Sequence, residues 1–529
     1  MHHERSNSEH RHDQSFQIRS DNNQHFWSES FSSSAKSDLI ERVFHSKEIS
    51  RAEKYHALLE FAEQHLQRAT ATDVTVHLVH RIAKAYELAK DSQAGLHSLG
   101  REGSLEYIKK NVLEPYERCL AGYLHPSSEV TPKNLTHVVW TFAKFGYQPS
   151  QIVESLNQQV VRNINKFTPE GLAITNWGLS RLGILKDEIV RASASLITKR
   201  DRDYSPADIS SLATTLVLSE KCPPEALGVL IDMSKGKIAS FDTRALSNLF
   251  KAASLAGLKR DDLMHVGTVA FRRRIDYASP EDLAITSWAM GKLRFRDDGL
   301  FEEIGDKAIR QLYKFNPKNT ANLLYGYASV NIADAYLFER AVEQIVDARH
   351  AVPATAIANI AWSCAISAPH LVEHLISPDA LDLFENDSEW MQVYTALLSV
   401  GAIGPKDKFE RYDHIERKAR PENIGLFEKA IHSELSRHFQ GSSVSIMPQK
   451  FIAGSHVDFV VKGRSLNLII ECDGFCHRST GPNGNELIGK DVLQNKLFEI
   501  CGYNVIHIKS DDYYGRNSRH ALERMFNEM

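Results

Sequence analysis

Three acids sit where an apolar strand pattern has no use for them. Asp458 interrupts the run Val457-Asp458-Phe459-Val460-Val461, and Glu471 and Asp473 close the run Leu468-Ile469-Ile470-Glu471-Cys472-Asp473. Glu471 and Asp473 are two residues apart and therefore share one face of a strand. A carboxylate inside a strand is costly unless it is paired or ligates a metal. Three of them converging at strand ends would form an oxygen-only site for Mg2+ or Mn2+, with positions left for water and phosphate. His477 follows at once and is placed to act as general acid or base. The bland reading of the same residues, a turn at Asp473-Gly474 and a hydrogen bond for Glu471, stays open beside it. Cys472-x3-Cys476-His477 hints at zinc, but no second pair of ligands follows at a finger-like spacing.

The elements that must position these acids are legible from periodicity. Asn423 to Phe439 predicts a helix; Ser443 to Met447, His456 to Lys462 and Leu466 to Asp473 predict strands. Asp491 to Cys501 predicts a helix, Tyr503 to Lys509 a strand and Ser518 to Met525 a helix. This α-β-β-β-α-β-α order is that of restriction-endonuclease-like domains.

Upstream, the chain repeats itself. Trp140, Trp177, Trp288 and Trp362 are separated by 37, 111 and 74 residues, which are multiples of 37. Cut at that period, the sequence falls into seven segments that start at Thr131, Thr168, Ser205, Asp242, Ser279, Asn316 and Pro353. Five starts read Thr, Ser or Asn before proline, which is a helix N-cap with Pro at the first helical position. Apolar residues at repeat positions 5, 8, 12 and 15 then trace a helical stripe, and a second amphipathic helix follows a glycine turn. Hairpins of this kind leave an apolar face open and must stack. The ring at position 10 is read as core packing. Position 13 is small in most repeats, which lets helices approach closely.

Positions 4 and 7 lie one turn apart and off the apolar stripe. They carry Asn134, Asp208, Asp282 and Asn319, and His137, Ser211, Asn248, Asn322 and Asn359. Short amides, hydroxyls and carboxylates read the edges of splayed bases, one base per repeat; a plain solvated face is the competing reading. Lys133, Lys144, Arg181, Arg244, Lys292 and Lys318, with the run Arg272 to Arg274, are candidate phosphate contacts.

The string Leu468-Ile-Ile-Glu-Cys-Asp-Gly-Phe-Cys-His477, followed by Lys496-Leu-Phe-Glu-Ile-Cys-Gly-Tyr-Asn-Val-Ile-His-Ile508, resembles the RAP domain over roughly residues 425–525. RAP domains in turn resemble very-short-patch repair endonucleases of the PD-(D/E)xK group. The 37-residue period resembles heptatricopeptide and octotricopeptide repeats, which often precede a RAP domain. The resemblance implies binding of organellar RNA and a role in its maturation, stability or translation. It implies that Asp458, Glu471 and Asp473 match the nuclease acids, with Glu428 as a helix acid. One departure stands out: the lysine of the Glu-x-Lys signature is Asp473 here. Lys490, Gln494 and His477 are therefore the candidates to replace it.

Composition frames these readings. The chain has 529 residues, 42% of them hydrophobic and 25% charged, with a net charge of −4, so any basic surface must be local. Six scattered cysteines show no disulfide framework, which fits a reducing intracellular compartment. No apolar run approaches a membrane span. Residues 1–36 are polar and are expected to be disordered, with no readable leader; the resemblance alone points to an organelle, or to the cytoplasm of a bacterium or its host. A helical cap is expected over 37–130, the repeats over 131–400, a linker over 401–421 and the nuclease-like domain over 422–529. The expected fold is mostly α: a right-handed α-solenoid of two-helix repeats followed by a small α/β domain. The expected partner is single-stranded RNA, selected by the repeats and cut by the acids. A non-catalytic factor that stabilises or masks a transcript, and a protein-binding scaffold, are the alternatives.

Overall fold

The computed structural model describes residues 33–47, 50–66, 72–90, 99–100, 102–199, 203–219, 221–348, 352–407, 409–419, 425–464, 466–473, 478–509 and 513. The chain is mostly helical, with one small four-stranded sheet near its C terminus. It divides into two compact units, residues 1–236 and 237–529.

The first unit opens with α1 (Ser33–His45), α2 (Arg51–Leu66) and α3 (Asp73–Lys90), then α4 (Leu105–Ile108) and, after one π-turn, α5 (Glu114–Tyr123). Helix α1 starts inside the segment expected to be disordered; the rest of that segment lies outside the described residues. Three helix pairs follow: α6 (Pro132–Phe145) with α7 (Val153–Asn163), α8 (Pro169–Arg181) with α9 (Asp187–Thr198), and α10 (Pro206–Leu216) with α11 (Pro224–Lys235). The first helices pack against one another in order, α3 on α6, α6 on α8 and α8 on α10.

The second unit continues with α12 (Thr243–Leu255), α13 (Asp261–Arg272), α14 (Pro280–Leu293), α15 (Asp298–Arg310), α16 (Pro317–Ser329), α17 (Ala335–Asp347), α18 (Ala354–Ser367), α19 (Val372–Leu375) and α20 (Asp387–Ser399). Helices α12, α14, α16, α18 and α20 form one packed row. The cause of each start is local. The side chains of Thr131, Thr168, Ser205, Asp242, Ser279 and Asn316 each accept the backbone N–H three residues on, and proline fills the first helical position in five of these six. Close approach between neighbouring helices of this row is set by glycine: a Cβ at Gly326 would lie 2.2 Å from the backbone oxygen of Ser287.

The interval expected to be a linker contains α21 (Glu410–Lys418). Then come α22 (Leu426–His438), β1 (Ser445–Ile452), β2 (Ser455–Lys462), β3 (Asn467–Asp473), α23 (Gly489–Ile500) and β4 (Asn504–Lys509). The sheet order is β1-β2-β3-β4, antiparallel except for the parallel pair β3/β4. Strand β1 runs five residues past its expected end, through Pro448, which an edge strand tolerates. The helix expected over Ser518 to Met525 lies outside the described residues. One face of the sheet packs Leu468, Ile470, Cys472, Phe459 and Val461 against Ile431 and Leu435 of α22. Cys472 is thus a core side chain.

Within this unit the α/β domain is joined to the repeats by backbone. Thr480 accepts the N–H of Arg296 at 2.7 Å and donates its own to Arg294 at 2.7 Å, and the Asn483 side chain accepts the N–H of Asp298 at 3.0 Å. Gly489, which opens α23, lies so close to the carbonyl of Ala328 that a Cβ there would sit 1.8 Å from its oxygen. Among the described residues no helix is long and apolar enough to cross a membrane.

Candidate functional site

In each unit the first helices present an open face, and burial shows which repeat positions belong to it. Position 3 is exposed in all seven repeats (Lys133, Glu170, Ala207, Arg244, Glu281, Lys318, Thr355). Position 7 is half-buried in all seven, and so is position 10. Positions 3, 7, 10 and 14 are successive i, i+4, i+7 and i+11 sites, so they form one stripe along each helix.

Position 4 does not belong to that face. The Asp208 carboxylate accepts the N–H of Ser205 at 2.9 Å, and that of Asp282 accepts the N–H of Ser279 at 3.0 Å and the Thr243 hydroxyl at 3.1 Å. Each closes a capping box. Asn134 is buried, and its amide donates to Asp73 at 2.7 Å and to the Tyr123 hydroxyl at 2.8 Å. Asn319 is half-buried, one residue past the exposed stripe. Asn134, Asp208 and Asp282 are therefore structural caps and ties rather than reading heads, because the third helical residue is where a carboxylate or amide best satisfies the helix start.

Position 7 keeps Ser211, Asn248, Asn322 and Asn359 on the open face; Asn359 accepts a hydrogen bond from Gln392 at 3.0 Å. His137 is stacked on His80, with ring centroids 3.8 Å apart and planes 7° off parallel. Burial holds both imidazoles neutral, His137 with a pKa lowered to about 4.

The rings at position 10 were expected in the core and are instead only partly buried, at the border of this face. Trp140 and Trp177 carry Lys144 and Arg181 over their rings at 5.4 and 5.7 Å, and Tyr325 stacks on Trp362 at 5.5 Å. Lys133, Arg244, Lys292 and Lys318 are exposed at positions 3 or 14 of the same face. Lys144 is paired with Glu87 at 3.1 Å, and Arg181 also donates to the carbonyl of Ala143 at 3.0 Å. Position 10 adds a cation that the sequence reading missed, Lys251, whose pKa is lowered by burial and by the charge of Lys318. Two of the Arg272 to Arg274 guanidinium groups are engaged elsewhere, Arg272 with Glu303 at 2.6 Å and Arg274 with the carbonyl of Ala270 at 3.2 Å.

The acids gather on the second face of the sheet, opposite α22. Pairing of β2 with β3 ends at Phe459 and Ile470, and Asp458 fills the gap as the strands part: its carboxylate accepts the N–H of Cys472 at 2.7 Å and the Gln449 amide at 3.3 Å. Glu471 lies among Asp458, Asp473 and Asp491 of α23. Burial first, and then these neighbouring charges, push its pKa up to about 9. Its carboxyl is therefore neutral at neutral pH.

Asp473 is buried and accepts from Nδ1 of His507 at 3.0 Å, while Nε2 of His507 meets Asn495 at 3.0 Å. His507, Asn495 and Asp491 were missed. The signal for His507 was the one used for Asp458, a polar residue in an apolar strand. Among the described residues no three of His, Cys, Asp and Glu already stand together as a metal-binding group.

Glu428 caps the first turn of α22 by accepting the N–H of Gly425 at 3.1 Å, and its charge helps to raise the Cys472 thiol pKa after burial and Asp458. Lys490 and Gln494 line a cleft of about 380 Å3 that also involves Trp362, and the Gln494 amide donates to the Ser455 hydroxyl. His477 lies outside the described residues. No protein-family model matches the chain, and no curated protein matches it.

Proposed function

We propose that this chain binds single-stranded RNA along the open face that the first helices present within each unit, as a modular helical-repeat protein, and acts in RNA processing or stability. The observation that carries the reading is the register of that face: at a 37-residue step, five of the seven repeats place a partly buried ring at position 10, four place an amide or hydroxyl at position 7, and five place a cation at position 3 or 14, with Glu170 and Glu281 as acids at position 3. Rings supply stacking surfaces for bases, short polar groups meet their edges, and ammonium groups meet phosphates. Burial first, and then the charge of Lys318, lower the Lys251 pKa, while Glu281 opposes them; a phosphate here would offset the repulsion between the two ammonium groups. A protein-binding scaffold explains neither the rings nor the cations at that step.

The α/β domain is proposed as RAP-like and nuclease-like, with an Mg2+-dependent endoribonuclease activity. Its acid donors suit a hard cation. Asp458 and Glu471 would hold the ion, and Asp473, which is committed to His507, would complete the set. The ion would polarise the phosphodiester and stabilise developing charge. This chain's own contribution is to strip water from Glu471 and hold its proton until a cation replaces it. The engagement of Asp473 by His507, whose other ring nitrogen meets Asn495, supports a second reading, a non-catalytic RNA-binding domain.

Binding of a labelled single-stranded RNA, followed by fluorescence anisotropy across a salt series, tests the first proposal: affinity should fall steeply as salt rises. Absence of RNA binding at low salt would refute it. Incubating the bound RNA with Mg2+ or with chelator separates the two domain readings. Cleavage that is equal in the parent and in Glu471→Gln would sink the nuclease proposal.

A further inference from the structure

The column of position-10 rings Trp288, Tyr325 and Trp362 ends at the α/β domain. There the cleft of about 380 Å3 is lined by Trp362, Gln392 and Phe451 together with Ser455, Lys490 and Gln494. This volume falls within the range of roughly 300–1,000 Å3 typical of small-molecule sites. Its chemistry is mixed in an informative way. Trp362 offers a half-exposed ring already stacked on Tyr325, and Phe451 offers a second aromatic surface. Gln494 and Ser455 form a hydrogen-bonded amide–hydroxyl pair on the lining.

The charge balance favours an anion. The one acid of the lining, Asp387, is neutralised by Arg411 at 3.1 Å and Lys418 at 3.8 Å. Lys490 is exposed and makes no ion pair among the described residues. An aromatic platform, an amide–hydroxyl pair and an uncompensated ammonium group on the lining of one cleft match a nucleotide with an unpaired base.

We propose that this cleft is a composite nucleotide site, built jointly by the last repeat and the α/β domain. The base stacks on Trp362, its edge meets Gln494 and Ser455, and its phosphate meets Lys490. The inference rests on the RNA-binding reading above and deepens it. It makes the α/β domain a contributor to recognition whatever its acids do, and it gives Lys490 and Gln494 a role in binding rather than in catalysis. It also sets the order of contacts, because the nucleotide in the cleft is the neighbour of the one over Tyr325.

The probe is a single-stranded 12-nucleotide oligouridylate containing 5-iodouridine, crosslinked to the full chain by light and mapped by mass spectrometry. The expected result is an adduct on Trp362 in the parent. Lys490→Glu, on an exposed side chain that should leave folding intact, should weaken oligonucleotide binding by about tenfold and flatten its salt dependence by about one phosphate contact. Trp362→Ala should lose the adduct. Adducts on Trp288 or Tyr325 with none on Trp362, together with unchanged affinity in Lys490→Glu, would overturn the composite site and leave the RNA-binding reading standing. Failure of the parent to bind the oligonucleotide at all would overturn both.

Discussion

Replacing Glu471 with glutamine isolates the electrostatic cost stored in the acid cluster. Burial and the carboxylates of Asp458, Asp473 and Asp491 raise its pKa from 4.5 to about 9. The unfolded chain ionises this group above about 4.5, whereas the folded chain keeps it neutral up to about 9. Folding therefore takes up a proton across that window, and stability falls as pH rises through it. One proton gives about 1.4 kcal/mol per pH unit, so the cost is about 2 kcal/mol near pH 6 and about 5 kcal/mol near pH 8.

Glutamine keeps the shape and hydrogen-bonding capacity of the neutral acid without the ionisation. Glu471→Gln should therefore be more stable than the parent by about those amounts, with the gap widening as pH rises. The buried Cys472 thiol, one residue away, reports locally. Its labelling in a urea series, read by mass spectrometry at the two pH values, gives the unfolding midpoint of the sheet. Millimolar Mg2+ should narrow the gap at the higher pH, since a cation can take the place of the proton. A gap of the same size at both pH values, or a variant less stable than the parent at both, would refute the reasoning.

Other outcomes follow from the same structure. Asp282→Ala should cost about 1–2 kcal/mol in urea unfolding, through loss of a buried capping box, and should leave base preference unchanged. Asn322→Asp, on the open face, should do the reverse: stability within about 0.5 kcal/mol of the parent, but altered affinity across a panel of RNA sequences. Gly326→Ala forces a methyl group to within 2.2 Å of the Ser287 carbonyl oxygen, and should cost about 1–3 kcal/mol or more in the same assay. Gly489→Ala should loosen the contact between the α/β domain and the repeats, and would be detected as faster limited proteolysis between the two.

What could be read from the sequence was what local chemistry determines. Thr131-Pro132 and its counterparts start helices because one side chain and one ring fix the first turn, and no distant residue is needed. The strand acids stood out for a similar reason, since Asp458 and Glu471 break apolar runs. The split between positions 4 and 7 was harder. An Asp three residues after a Ser is equally polar whether it caps a helix or faces solvent, although the Ser205-x-x-Asp208 and Ser279-x-x-Asp282 spacings carried the capping-box signature. The tryptophans misled because the apolar stripe and the open face meet at position 10, where a large ring belongs to both. The joint between Thr480 and Arg296 pairs residues nearly two hundred apart, and nothing local announces it.

That joint has a mechanical consequence. Helical arrays flex by small rotations that add up from one repeat to the next. The backbone bonds at Arg294 and Arg296, the glycine contact at Ala328 and the contact of Gly489 with Ile366 span three successive repeats. The α/β domain is thus placed to act as a splint, holding these three repeats, and with them the rings of Trp288, Tyr325 and Trp362, against such rotations. On the proposed RNA-binding reading, a bound strand would have to match that pitch, so that discrimination in this stretch would include the spacing of bases as well as their identity.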